Sequence, residues 1–211
     1  MQLTSQSFEH GQPIPEHCAF ARPHPTDHFT LSDNHNPHLA WSDAPKGTKS
    51  FVLICVDTDA PTDPTHVNTE GATVPASLAR ADFFHWLLVD LPPTCRDIAE
   101  GASSDGVTVG GKSAPAGPEG SRQGVNDFTA WMAGNPDMKG TYRGYDGPAP
   151  PWNDELVHTY YFRLYALDVA NLELDDDFTA DQVLDAIEGH VLDQAEVMGT
   201  YTLNPALRAG A

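Results

Sequence analysis

The strongest constraint on the fold of this chain is that its most apolar segments are short and alternate with stretches rich in proline and glycine. Residues 51–57 (FVLICVD), 83–90 (FFHWLLVD) and 159–167 (TYYFRLYAL) are runs of branched and aromatic residues, and 17 glycines and 18 prolines are scattered among such runs. Runs that are apolar at nearly every position are typical of strands buried on both faces. The chain is therefore predicted to be mainly β and rich in loops.

One segment near the C-terminus has the periodicity of a helix. Thr179 is a favourable N-cap residue, and Asp181 follows in the first turn. An apolar stripe then runs down to Gly199. Its members are Val183, Leu184, Ile187, Val191, Leu192 and Met198. We expect one helix that extends from Thr179 to about Gly199.

The rest of the chain contains no internal repeat and no sharp change of composition, so residues 1–211 are expected to form one domain. The polar stretch between Pro61 and Arg80 is too long for a simple turn and is either a functional flap or an insertion. Residues 100–124 consist mainly of Gly, Ser, Ala and Pro, and we expect them to form a long surface loop.

The charge balance narrows the range of partners. Eleven Lys and Arg residues against 30 Asp and Glu residues give a formal net charge of −19 at pH 7, which repels phosphate backbones and anionic bilayers. No apolar run approaches the roughly 20 residues of a membrane span, and residues 1–6 lack the features of a secretion signal. We expect no nucleic-acid partner, no integral membrane association and a cytoplasmic location.

The cysteines and histidines leave two interpretations open. Cys18, Cys55 and Cys95 are odd in number and unrelated in spacing, which argues against a disulfide framework and against a cysteine-based zinc site. Six of the ten histidines lie in the proline-broken stretch 10–38, where we expect no helix that would bring two of them together as metal ligands. These histidines are either solvated loop residues or members of a metal cluster.

Ionisable residues stand at the ends of the three predicted strands. Asp57 ends the first strand, His85 lies near the start of the second, and His158 opens the third. If successive strands pair antiparallel, the end of one lies beside the start of its neighbour. Asp57 and His85 then meet at one rim of the sheet, where His158 can join them. Alternation along a strand places Tyr160 on the same face as His158, and Asp59 on the same face as Asp57.

These side chains are suited to binding a small oxyanion. An imidazole held by Asp57 has its charged form favoured, and a charged imidazole beside the Tyr160 hydroxyl can donate hydrogen bonds to an anion. Phe83 or Trp86 would cover the apolar part of such a ligand. The alternative interpretation is that each histidine is a satisfied structural residue.

A proline-rich stretch just before His158 supplies a candidate wall for this site. Residues 147–151 (GPAPP) are stiff at their prolines, and Gly147 is free to bring the backbone close to a ligand.

Two blocks of this sequence carry a resemblance. Residues 57–61 (DTDAP) are similar to the Asp-Pro-Asp-Ala-Pro signature of the phosphatidylethanolamine-binding protein family, which includes the Raf kinase inhibitor proteins. Residues 147–151, followed by His158 and Tyr160, resemble the family's second conserved block. Further segments resemble its bacterial branch, namely residues 11–15, 36–41, 126–128 and 186–201. Together these segments span nearly the whole chain in the expected order.

The resemblance implies a β-sandwich of two antiparallel Greek-key sheets with peripheral helices and a small anion pocket at one end. The polar residues of that pocket would be Asp57, His85, His158 and Tyr160. Its walls would include Phe83, Ala149, Pro150 and Pro151. Asp59 and Pro61 would support the site, and the peptide bond between Ala60 and Pro61 would be cis.

The chain departs from the family pattern at three places. Thr58 replaces the first proline of the signature, which loosens the turn and keeps both carboxylates. Thr159 stands where many eukaryotic members have arginine, which puts recognition of kinase partners by that route in doubt. Residues 62–82 form a longer stretch than in compact bacterial relatives. They either roof the pocket or, as we expect for residues 67–71, form a solvated surface insertion.

The function indicated is binding of a small anion, either phosphate or a phospholipid head group, without a cofactor or a metal. A regulatory or inhibitory role toward a protein partner is an open extension. No Ser, Cys or Lys belongs to the candidate site, and no Gly-x-Ser-x-Gly pattern occurs, so an enzyme is not expected. Both a monomer and a homodimer agree with the sequence.

Two other functions are kept as hypotheses. In the first, Asp57, Asp59, His85 and His158 hold zinc or manganese or carry out acid–base chemistry, and the protein is a phosphoester hydrolase. In the second, suggested by the family analogy alone, the protein inhibits a protease or a kinase through a surface loop.

Overall fold

The computed structural model describes residues 1–208, and this part of the chain consists of ten strands and a few short helices. The strands are β1 (Gln2–Thr4), β2 (Ala21–His24), β3 (His28–Leu31), β4 (Leu39–Ser42), β5 (Ser50–Pro61), β6 (Arg80–Leu91), β7 (Asp97–Ile98), β8 (Arg122–Gln123), β9 (His158–Leu167) and β10 (Val191–Tyr201). The α-helices are α1 (Phe128–Trp131), α2 (Ala180–Ile187) and α3 (Pro205–Arg208), and 3-10 turns cover Glu16–Cys18 and Met132–Gly134. The predicted mainly β fold is confirmed. No helix within residues 1–208 is long and apolar enough to cross a membrane.

The strands form three antiparallel sheets. The largest has the order β10-β9-β5-β6-β8, the second has the order β1-β4-β7, and the third is the β2-β3 hairpin. In the large sheet β5 pairs with β6, and β9 returns through a long connection to pair with β5 on its other side. The order β9-β5-β6-β8 places the last of these strands beside the first, as in a Greek key, although β7 of the three-stranded sheet intervenes between β6 and β8 along the chain. The sheets number three rather than the two that the resemblance implies, because β2 and β3 pair only with each other.

The central strand β5 is apolar at nearly every position because it is buried on both faces. Leu53 packs in the core between the large sheet and the three-stranded sheet, together with Trp41 of β4. Val52 and Ile54 point the other way, into a second core closed by α2. The run of apolar residues at 51–57 thus serves two cores, as expected for a strand without a solvent face.

The predicted long helix near the C-terminus is wrong beyond Ile187. Thr179 does cap α2, and its backbone N–H donates to Gln182 Oε1 at 2.9 Å. The helix then stops, because Gly189 has φ +79° and reverses the chain. Val191 and Leu192, placed on the helical stripe, are 40% and 42% exposed on strand β10, which pairs with β9 along its length.

The segment 100–124 contains little regular structure apart from β8, as predicted, but it is not wholly on the surface. Ser103 and Ser104 are buried, and the backbone N–H groups of both donate to Asn36 Oδ1, at 2.7 and 3.0 Å. Asn36 therefore anchors this loop to the segment that precedes β4.

Candidate functional site

The residues predicted to form a site converge at the end of the central strand. In the register of the large sheet, Asp57 of β5 lies opposite Tyr160 of β9 on one side and opposite Phe83 of β6 on the other. His85 lies two residues further along β6, and His158 opens β9. The antiparallel pairing that was assumed from the sequence thus brings Asp57, His85, His158 and Tyr160 around one pocket.

His158 is clamped between two carboxylates. Its Nδ1 lies 2.7 Å from Asp57 Oδ2, and its Nε2 lies 3.1 Å from Asp154 Oδ2. Because each nitrogen faces a carboxylate that can only accept, both nitrogens carry a proton and the ring is an imidazolium. Arg80 completes the network, since its two terminal nitrogens donate to the two oxygens of Asp154 at 2.6 and 2.9 Å.

The charges in this network stabilise one another. Burial opposes the charge on His158, but the hydrogen bonds and charges of Asp154 and Asp57 prevail and raise the pKa of His158 to about 9. Burial likewise opposes the charge on Asp154, and the hydrogen bonds from His158 and Arg80 lower its pKa to about 2. Two carboxylates, one imidazolium and one guanidinium sum to zero, so the network adds no net charge to the pocket.

His85 has the opposite character. Its Nδ1 lies 2.7 Å from the backbone carbonyl oxygen of Asp146, which can only accept, so Nδ1 carries the proton. Burial lowers the pKa of His85, and the charge of Asp57 only partly counteracts it. The ring is therefore neutral, and its Nε2 is the nitrogen left to meet a ligand. The sequence interpretation of one Asp57-held imidazolium facing the ligand is corrected: the charged ring is His158, and both of its nitrogens are occupied.

Asp146 fixes the position of His85 through a set of buried contacts. Its carboxylate accepts hydrogen bonds from Asn34 Nδ2 at 2.9 Å, Asn126 Nδ2 at 2.8 Å and Lys112 Nζ at 2.7 Å. Its backbone N–H donates to the His85 carbonyl at 3.1 Å. This role of Asp146 was not predicted, because its partners come from four separate irregular segments or strands.

Tyr160 lines the pocket, and its hydroxyl lies near Asp57. The residue is fully buried, and within residues 1–208 its hydroxyl has no hydrogen-bond partner of ordinary geometry. Burial, the charge of Asp57 and a looser contact of the hydroxyl with the Asp57 carboxylate raise the pKa of this phenol well above its ordinary value, so it stays protonated and can donate. A buried hydroxyl left unpaired costs about 1–3 kcal/mol, which makes it a candidate contact for a ligand.

Asp59 has a structural role. Its carboxylate accepts the backbone N–H of Thr159 at 2.7 Å, and its own N–H donates to Asp57 Oδ1 at 2.8 Å. These bonds tie the start of β9 to the end of β5 and hold Asp57 in place. Pro61 lines the pocket, but the peptide bond between Ala60 and Pro61 is not cis, because both residues continue β5 and pair with β6. The cis bond implied by the resemblance is wrong for this structure.

Aromatic rings close one side of the pocket. Phe83 lies 5.0 Å from the ring of His85 and 5.3 Å from that of Phe128, measured between centroids. Phe128 and Trp131 come from α1 and line the pocket, although neither was predicted as a site residue. Trp86, the alternative to Phe83, is fully buried in the core and donates its indole N–H to Gln123, so it does not reach the pocket.

The proline-rich wall forms as predicted, except at Gly147. Ala149, Pro150 and Pro151 line the pocket. Gly147 does not, because it packs against the 3-10 turn near the N-terminus, where an added Cβ would lie only 2.2 Å from the Cys18 carbonyl oxygen. Glycine is required there for backbone packing, not for contact with a ligand.

The segment 67–71 contributes its first two residues to the pocket. Val67 and Asn68 line it, which corrects the prediction that residues 67–71 are simply a solvated insertion. Asn68 is held in place from both sides: its N–H donates to Asn153 Oδ1 at 3.0 Å, and its Oδ1 accepts the Trp152 N–H at 3.0 Å. The remaining residues, such as Glu70, are exposed as predicted.

The resulting cavity holds about 100 Å³. None of the described residues that line it is a Ser, Cys, Thr or Lys. The four metal ligands considered from the sequence, Asp57, Asp59, His85 and His158, are not all free to bind an ion in this arrangement. Both nitrogens of His158 face carboxylates, and the Asp59 carboxylate accepts the backbone N–H of Thr159. The pocket therefore presents to a ligand the phenol of Tyr160 and the neutral imidazole of His85, between aromatic rings and prolines.

Comparisons with known proteins agree with the fold. A family model described as "Phosphatidylethanolamine-binding protein" matches residues 4–202. A UPF0098 protein of Chlamydia muridarum is 34% identical over 201 residues, which cover 95% of this chain and 98% of the relative. YbhB of Escherichia coli is 29% identical over 202 residues, which cover 96% and 100%.

Two crystal structures are similar to the whole chain. CT736 of Chlamydia trachomatis, described as a phosphatidylethanolamine-binding protein homolog, has a TM-score of 0.64 and 31% identity, with 95% of each chain covered. YbcL of Escherichia coli, described as a new member of the mammalian family, has a TM-score of 0.68 and 26% identity, with 95% of this chain and 97% of that chain covered.

Proposed function

Because the chain belongs to the phosphatidylethanolamine-binding protein family, we propose that its pocket binds one small oxyanion, a phosphate or a phosphorylated head group. The observation that carries this proposal is the buried Tyr160 hydroxyl, which has no hydrogen-bond partner of ordinary geometry and whose ring lies beside that of the neutral His85. The two rings are 5.2 Å apart between centroids. An oxyanion in the pocket that contacts both side chains would accept a hydrogen bond from the phenol and would favour the protonated form of His85.

Binding of an anion is coupled to a proton in this account. His85 is neutral in the free protein, since burial lowers its pKa. A negative charge near Nε2 favours the charged ring, so the anion either arrives with a proton or draws one onto His85. Affinity therefore falls as the pH rises above the pKa of His85 in the complex.

The size of the cavity limits the ligand. A volume of about 100 Å³ holds a few water molecules, at roughly 30 Å³ each in the liquid, or one small anion. Pockets for drug-sized ligands occupy roughly 300–1,000 Å³. The proposal therefore covers the head group and leaves acyl chains outside the pocket, near the exposed ring of Trp131.

The protein acts by binding and not by catalysis in this proposal, because the pocket presents no Ser, Thr, Cys or Lys among its described residues. A regulatory or inhibitory role toward a protein partner, and a cytoplasmic location, remain parts of the proposal that rest on the family and on the charge of the chain.

The test is calorimetry with phosphate, phosphorylethanolamine and acetate on the wild type and on Tyr160→Phe. The variant removes only the hydroxyl, and we expect it to bind phosphate about tenfold more weakly, as for one hydrogen bond to a charged group. Its stability should be unchanged or higher, because it also removes a buried unpaired group.

Tyr161→Phe is the matched control, since Tyr161 is the next residue on β9, does not line the pocket, and packs under the Arg163 guanidinium at 5.0 Å. It should bind phosphate like the wild type. Equal affinities for the wild type and Tyr160→Phe, or no heat with any of the three ligands, would contradict the proposal.

A further inference from the structure

Three side chains of types that bind metals meet where the 3-10 turn Glu16–Cys18 contacts the loop after β7. His17 and Cys18 come from the 3-10 turn Glu16–Cys18, and Glu100 follows β7. His17 Nε2 lies 3.1 Å from Glu100 Oε1, and Cys18 Sγ lies 4.0 Å from Glu100 Oε2. One ligand atom of each residue lies within 4.8 Å of those of the other two. We propose that His17, Cys18 and Glu100 bind one zinc ion, with water in the fourth position.

The donor set favours zinc over other biological cations. Zinc binds imidazole nitrogen at about 2.0–2.1 Å, thiolate at about 2.3 Å and carboxylate oxygen at about 2.0–2.2 Å, usually in tetrahedral geometry. Tetrahedral ligands at those bond lengths lie about 3.3–3.7 Å from one another. The observed separations of 3.1 and 4.0 Å run to different oxygens of Glu100, and the ligand atoms of the three residues lie within 4.8 Å of one another, so the side chains have to draw together by up to about 1 Å to hold the ion. Calcium and magnesium are disfavoured, because they prefer oxygen ligands alone.

Neighbouring contacts hold the three ligands in position. The Ser7 hydroxyl donates to Glu100 Oε2, which is the kind of outer contact that orients a metal ligand. The backbone N–H of His35 donates to the His17 carbonyl at 2.9 Å, and the two imidazole rings are 5.9 Å apart. The site is also balanced in charge, since a thiolate and a carboxylate neutralise one dication.

This site resolves the question that the histidine-rich N-terminal stretch left open. Other histidines of that stretch pair with single acidic residues: His24 with Asp27, His28 with Glu70 and His35 with Asp105. Only His17, among the described residues, meets both a cysteine and a carboxylate. The spacing of the cysteines does not predict this site, because its ligands are the adjacent residues His17 and Cys18 and a glutamate 82 residues away from Cys18.

The proposed ion would stabilise the N-terminal segment against the sandwich. It would link the 3-10 turn and, through Ser7, the chain before it to the loop after β7. Cys18 is already fixed on its other side, since its carbonyl accepts the Tyr145 hydroxyl at 2.6 Å. Zinc bound to the folded chain alone should therefore raise the melting temperature as its concentration increases.

The test is titration of the full, chelator-treated chain with zinc and, separately, with cobalt(II) as a spectroscopic probe. We expect one zinc per chain, and a thiolate-to-cobalt charge-transfer band in the near ultraviolet. His17→Asn and Glu100→Gln should each weaken zinc binding at least tenfold, and Cys18→Ser should abolish the cobalt band.

Cys95→Ser and His24→Asn are the matched controls and should bind both metals like the wild type. Because Cys18 is buried, its variant can fail to fold, whereas the side chains of His17 and Glu100 are 41% and 37% exposed and tolerate the change. The proposal is overturned if cobalt gives no charge-transfer band, or if His17→Asn and Glu100→Gln retain wild-type zinc affinity.

Discussion

At the scale of single residues, His85 and His158 occupy one pocket and differ in charge because of their hydrogen-bond partners. His158 faces two carboxylates, which raise its pKa to about 9 despite its burial. His85 faces a backbone carbonyl, and burial lowers its pKa. The first histidine holds the strands β5 and β9 together, and the second is the one that can respond to a ligand.

The raised pKa of His158 predicts how the stability of the protein depends on pH. Its contribution is fully present below the ordinary value of 6.5 and is lost as the pH rises through about 9. Urea unfolding should therefore show a decrease on the order of 3 kcal/mol between about pH 6.5 and 9 from this group.

His158→Gln should lack this decrease, whereas His190→Gln should keep it, because His190 forms a half-exposed pair with Asp168. NMR titration of the ring nitrogens checks the cause directly. A His158 ring that loses its proton below pH 7 would show that the explanation is wrong.

At the scale of elements, the turn between α2 and β10 decides where the helix ends. Gly189 has φ +79°, and an added Cβ there would meet no atom within 4 Å. Any cost of a side chain at this position is therefore a backbone cost, of about 1–2 kcal/mol for an L-residue in the left-handed region.

We accordingly expect Gly189→Ala to lower the free energy of unfolding by about 1 kcal/mol, and Gly189→Asn to lower it less, since asparagine tolerates this conformation. Gly134→Ala is the control, because its added Cβ also meets nothing and its φ is not positive. Thermal or urea unfolding measures all three. Equal effects at the two glycines would mean that the positive φ does not matter.

The same elements show what the sequence could predict. The strands β5, β6 and β9 were predicted from their runs of branched and aromatic residues, which in β5 and in the second half of β6 are buried at every position, whereas in β9 buried and partly buried residues alternate. The segment 191–201 was not, because its first two apolar residues, Val191 and Leu192, continue the spacing of α2 and are exposed in the structure. Only the turn at Gly189 separates helix α2 from strand β10, and an isolated glycine in a sequence does not specify which backbone conformation it adopts.

The candidate site was predicted where strand pairing determines it and missed where loops do. Asp57, His85, His158 and Tyr160 lie on paired strands, so their convergence followed from antiparallel order. Asp154 and Asp146 lie in irregular segments, whose positions in space do not follow from spacing in sequence. The missed residues are those that set the charge of each histidine, and for this reason the charged ring was misassigned.

At the scale of the whole molecule, a formal charge of −19 opposes the binding of any anion. The pocket network contributes no net positive charge to offset it, so attraction is confined to the phenol, to a proton on His85 and to short hydrogen bonds. Screening of the global field by salt should then help the ligand.

We expect the affinity for phosphate to rise roughly fivefold between about 0.01 and 0.15 M ionic strength, over which the Debye length falls from about 30 to 8 Å. Calorimetry at constant pH measures this change. A loss of affinity with added salt would indicate that the anion binds to exposed basic side chains on the surface.

That the whole chain forms one domain stays a prediction of the sequence.

Binding of a small anion beside Tyr160 and His85 can be observed in a crystal structure of the protein soaked with phosphate at about pH 6. We expect one phosphate in the pocket, within hydrogen-bond distance of Tyr160 Oη and His85 Nε2, with His158 still bound to Asp57 and Asp154. A pocket that contains only water at saturating phosphate, or an anion bound elsewhere, would contradict it.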